Sequence, residues 1–93
     1  GRARDALNRA QAAGAAELAP VDYRMAREGL DSGRALIDQR EHTAARNALQ
    51  KAEVRADLAT AKSNAARLRG EVQAKETDNA NLRRELLGEG QLP

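Results

Sequence analysis

The chain has no cysteine, tryptophan or phenylalanine, and Tyr23 is its single aromatic residue. Without cysteine neither disulfides nor thiolate metal sites can form, and no redox compartment is written in the sequence. The β-branched residues are few and scattered singly (Val21, Ile37, Thr43, Val54, Thr60, Val72 and Thr77), so no run could build a sheet. Apolar stretches are two to three residues long, so nothing here spans a bilayer. The chain opens at Gly1 without a signal-like segment, and targeting information is expected to lie outside it.

Large aliphatics are also scarce: eleven leucines, three valines and one isoleucine in 93 residues. A chain of this length forms one domain at most, with a thin core, and so few large apolar residues would by themselves point towards disorder. Two features oppose that. Sixteen basic and fourteen acidic residues are interleaved to a net charge of only +2, whereas disordered chains combine low hydrophobicity with strong self-repulsion. The missing hydrophobicity has gone into alanine, the best helix former, with Arg, Glu, Gln, Leu and Lys filling much of the rest.

The fold class expected is therefore all-α. Ala3, Leu7, Ala10 and Gly14 recur at helical spacing and predict a short first helix over about 2–13. Pro20 holds Ala19 extended and suits the first turn of a second helix, with a turn over 14–19. That second helix is expected over about 20–37, with Tyr23, Ala26, Leu30, Gly33 and Ile37 on one face. Gly29 and Gly33 each cost about 1 kcal/mol inside it; Gly33, on the stripe, is expected to admit a neighbouring backbone.

Residues 38–41 form a tight connection, with Asp38 a candidate N-cap for the third helix. That helix would run from about 40 to 87, some 47 residues or roughly 70 Å at 1.5 Å per residue. Its first half carries Ala45, Ala48, Leu49, Ala52, Ala56 and Ala59, a small-residue face that suits close antiparallel packing on the second helix. The expected architecture is a short N-terminal helix plus an antiparallel hairpin whose last helix projects as a coiled-coil-like rod. Residues 1–59 form the alanine-rich hairpin module, and residues 60–93 the coiled-coil extension and linker tail.

The second half of the rod places Leu58, Ala61, Ala65, Leu68, Val72, Lys75, Asn79, Leu82 and Leu86 at alternating a and d heptad positions without a slip. Asn79 takes an a position, where a polar residue fixes register at a cost in stability, and Lys75 weakens the centre. In a parallel homodimer Asp57 with Lys62 and Asp78 with Arg83 would attract, while Glu71 with Glu76 would repel. Leu58, Leu68, Val72, Asn79, Leu82 and Leu86 are the candidate self-association seam. The alternative is a single solvated helix whose leucines meet the first helix or another partner.

Catalysis has little to work with. Ser32 and Ser63 lie on predicted helices, and His42, at the start of the third helix, reads as a partly buried packing residue rather than a base. With one histidine and no cysteine no metal site is expected, glycine-rich phosphate loops are missing, and no cofactor is implied. Pairs such as Glu71 with Lys75 read as helix-surface support.

Nucleic acid is the other partner class weighed, because the pI is about 9.5 and Arg55, Arg67, Arg69, Arg83 and Arg84 lie along the rod. Docking on nucleic acid or an acidic protein is the alternative function. The small net charge, the interleaved acids Glu71, Glu76, Asp78 and Glu85 and the lack of stacking aromatics weigh against nucleic acid.

The alanine spacing, with Ala6, Ala10 and Gly14, then Ala19-Pro20, then Tyr23, Ala26, Leu30 and Gly33, then His42, Ala45, Ala48, Ala52 and Ala56, resembles a known pattern. It is similar to the small alanine-rich helical domain of unassigned function in Gram-negative envelope lipoproteins, often followed by an OmpA-like peptidoglycan-binding domain. The resemblance covers about residues 3–60, with His42 in place of the usual aromatic and the usual turn glycine replaced within 38–41. It implies a periplasmic, outer-membrane-associated module, a lipid anchor upstream, and a role as spacer or protein docking surface. It implies no catalytic residues.

Overall fold

Alanines and helix-breaking residues divide the chain into four helices, followed by one π-helical turn, in a computed structural model that describes residues 1–88. They are α1 (Arg2–Ala12), α2 (Ala15–Leu18), α3 (Pro20–Asp38) and α4 (His42–Arg83), with the π-helical turn at Arg84–Gly88. The described residues contain no strand. The expected all-α architecture with a long projecting last helix is the one found, and the molecule is a rod about 15 Å across in both short dimensions.

Helix α1 ends where Gly14 adopts φ +83, the left-handed conformation glycine takes freely. The connection expected as a plain turn holds one further helical turn, α2. Ala19, at φ −143, is kept extended by Pro20, and Pro20 then opens α3 at its first position.

The α3–α4 connection differs from expectation. Asp38 is the last residue of α3 and caps nothing; Glu41 occupies the N-cap of α4 without a side-chain cap bond. The chain reverses through a Schellman motif, in which the Arg40 amide donates to the Ile37 carbonyl and the Glu41 amide to the Leu36 carbonyl. Arg40 takes the left-handed conformation at φ 61, which glycine usually fills. This is the position of the replaced turn glycine.

Helices α1 and α3 then pack side by side against the first half of α4. Asp22 faces Arg55 and Lys62, while Gly29 faces Ala52 and Gly33 faces Leu49, so α3 runs antiparallel to α4. Ala3 lies with Ala52, and Arg9 lies beside Asp57, so α1 runs in the same sense as α4 and packs within its own chain. The core is almost entirely alanine: Ala6, Ala10, Ala15, Ala19, Ala26, Ala56 and Ala59 form one cluster, flanked by Leu7 and Tyr23, and Ala3, Leu30 and Ala52 form a second.

The two interior glycines of α3 explain how the helices come so close. A Cβ on Gly29 would sit 3.0 Å from the Ala52 Cβ and 3.4 Å from its Cα, so the close backbone approach expected at Gly33 occurs at Gly29. At Gly33 a Cβ would lie 2.7 Å from Leu49 Cγ; the space there seats a leucine side chain instead. Tyr23 and Leu49 are half-buried, and Ala26, Leu30, Gly33, Ala45, Ala52 and Ala56 are buried. Ile37 is 45% exposed, because α3 stops one residue later and nothing covers its last turn. His42 is exposed rather than packed, at a helix start that no other element overlies.

Candidate interaction surface

α4 carries two stripes. The inward one is Ala45, Ala52, Ala56, Ala59 and Ser63, covered by α1 and α3. The Ser63 hydroxyl, fully buried, donates 2.7 Å to the Ala59 carbonyl and so costs no unpaired polar group. At about 100° per residue, the heptad stripe from Leu58 to Leu86 lies roughly 110–170° round the helix from this face. It therefore looks away from the bundle.

Leu58, Leu68, Val72, Leu82 and Leu86 are all exposed, as are Lys75 and Asn79. The stripe also begins one position earlier than expected: Val54 precedes Leu58 by four residues in the same register and is 66% exposed. Four-residue spacing to Leu58 was the signal for it. The bundle ends near Arg67, whose guanidinium donates to the Ala13 carbonyl at the end of α1 and ties the α1–α2 turn to α4. Inward packing thus runs past residue 59, and beyond Arg67 the remaining 16 residues of α4 project for about 24 Å.

Beside the stripe, three charges expected to flank a dimer seam, or to bind an acidic partner, are held within the chain. Arg55 Nη1 donates 3.1 Å to Asp22 Oδ1, and Lys62 Nζ donates 2.6 Å to Asp22 Oδ2. Arg9 lies 3.6 Å from Asp57. Asp22, in the first turn of α3, is only 4% exposed. The hydrogen bond from Lys62 is the main cause holding its carboxyl below the ordinary carboxylate range; burial opposes it, and Arg55 reinforces Lys62. Sequence reasoning missed this clamp, although Arg55 and Lys62, seven residues apart, share one side of α4. With Arg55 and Arg67 engaged, Arg69, Arg83 and Arg84 are what remains of the basic set. Among the described residues no three His, Asp or Glu side chains gather as metal ligands, and no helix is long and apolar enough to cross a membrane.

Geometry therefore defines a class: an alanine-cored helical bundle whose last helix extends beyond it with an outward apolar stripe. Residues 1–75 match the family described as a domain of unknown function, DUF4398, and the chain belongs to that family. No curated protein and no solved structure matched the chain.

Proposed function

We propose that this chain is a non-enzymatic structural and protein-interaction module of a bacterial cell-envelope protein, which pairs with a second copy through the outward stripe of α4. The observation that carries the reading is that stripe. Val54, Leu58, Leu68, Val72, Leu82 and Leu86 expose apolar surface in one unbroken heptad register, on the side of the helix that the bundle leaves free. Intramolecular packing does not compete for it, because the alanine stripe and the leucine stripe occupy opposite faces.

A structural role also fits the polar groups. Ser63 is used inside the helix, and Asp22 is spent on two cations that join α3 to α4. Neither is presented beside His42. The envelope setting, periplasmic and near the outer membrane, rests on the resemblance of residues 3–60 to the alanine-rich domain of envelope lipoproteins.

Light scattering over a tenfold concentration range tests the pairing. Wild type is expected to be a dimer, Leu82→Asp to weaken it at least about tenfold, and Asn79→Leu to tighten it while loosening register. A monomer at every concentration would refute self-association through α4.

A further inference from the structure

The end of the bundle opposite the projecting rod holds an open basin of about 680 Å³, within the usual range of small-ligand sites. Leu30, Ile37 and Leu49 make its apolar floor, and Arg2, Arg4, Arg34 and Arg46 stand around it, with Glu53 the single acid of the lining. None of these four guanidiniums makes an ion pair or a side-chain hydrogen bond among the described residues. Arg2 and Arg4 also lie in the first turn of α1, where the helix dipole disfavours cations. Four cations without an ion pair thus stand above an apolar floor, against the one carboxylate of the lining, Glu53.

The flank of α3 and α4 offers a useful contrast. A second depression of about 660 Å³ has Met25 and Val54 as its large apolar residues, and its arginine, Arg55, is already bonded to Asp22. Equal size with different chemistry singles out the first.

We infer that the basin is a binding site for an anionic amphiphile: one acyl chain over Leu30, Ile37 and Leu49, bearing a phosphate monoester held by the four arginines. Guanidinium forks match phosphate oxygens, and a doubly charged head uses several of them at once. An acidic peptide suits the site less. In extended form its backbone amides and carbonyls need partners, which helical walls, with their own backbone groups bonded internally, do not supply, and as a helix it must first be ordered. An acyl chain makes no such demand.

Dodecyl phosphate, kept below its micelle-forming concentration, is the probe, titrated into the 93-residue chain and followed by amide chemical shifts and calorimetry. We expect one saturable site with shifts centred on Leu30, Ile37 and Leu49. Affinity should fall at least about tenfold for inorganic phosphate, for dodecyl maltoside and for the double variant Arg34→Gln, Arg46→Gln. Both arginines are exposed, so the variant is expected to keep the helical circular dichroism of wild type. Unchanged affinity in that variant overturns the proposal. So do shifts confined to the 58–86 stripe, which would assign the binding to the seam, or tighter binding of a glutamate- and leucine-rich peptide at the basin. The pairing of α4 is read separately, from mass, and neither result depends on the other.

Discussion

Between His42 and Arg67, α4 buries its alanines Ala45, Ala52, Ala56 and Ala59 at 0–3% exposure; beyond Arg67 it leaves Leu68, Val72 and Leu82 at 48–60%. The smaller side chains are inside and the larger ones outside. Burial here follows how closely helices approach, not how apolar a residue is. Alanine faces on α1, α3 and α4, with Gly29 at the tightest point, let three backbones come close enough to exclude water with almost no side-chain volume. Leucines on the other face of the same helix could not enter that gap.

The largest test of this contrast is to enlarge a buried alanine. Ala56→Leu overfills a fully enclosed position and should cost about 3 kcal/mol in urea unfolding, at the upper end for overpacked cores. Leu68→Ala, made at a concentration where the chain is monomeric, should change stability by less than about 0.5 kcal/mol. Comparable losses in the two variants would break the distinction between the halves.

Glycine sharpens it further, because the same substitution should have opposite signs along the molecule. Gly29→Ala meets Ala52 at 3.0 Å and should destabilise by about 1 kcal/mol despite its gain in helix propensity. Gly70→Ala meets nothing within 4 Å and should stabilise by about 1 kcal/mol, read from the shift in the urea midpoint. If both stabilise, the close approach at Gly29 is looser than the geometry indicates.

The smallest effect concerns the clamp at the edge of the packed half. Asp22 has its folded-state pKa lowered, so its contribution is complete above the ordinary carboxylate range near pH 4 and is lost as pH falls through the depressed value. Asp22→Asn should therefore lower the melting temperature at pH 7, and the gap to wild type should close on acidification. A gap that persists unchanged into acid would mean that Asp22 acts through packing or helix capping rather than through Lys62 and Arg55.

Much of this was legible in the sequence. Helix period, Ala19-Pro20 and the scarcity of strand formers predicted the three longer helices in order, though not the single turn of α2, and the three-four spacing of Leu58 to Leu86 marked the outward stripe. The cap at the α3–α4 turn was misread because a left-handed arginine at position 40 carries no propensity signal, and Asp38 looked like a cap by residue type alone. The Asp22 clamp and the arginine basin were invisible for another reason. Asp22 lies 33 and 40 residues from its two cations in the clamp, and the basin draws its lining from three helices. Only the lateral alignment of those helices brings them together.

Composition and spacing by themselves determined that this chain is helical, that its core would be thin, and that its last helix would outrun the others. Local propensity and periodicity are short-range properties, and they suffice for that. Tertiary structure alone decided which glycine admits a backbone, which cations are consumed in ion pairs and which stay free, and that the two stripes of α4 point opposite ways relative to α1 and α3. Those outcomes depend on helix register and separation, which the packing of small side chains sets through contacts distant in sequence.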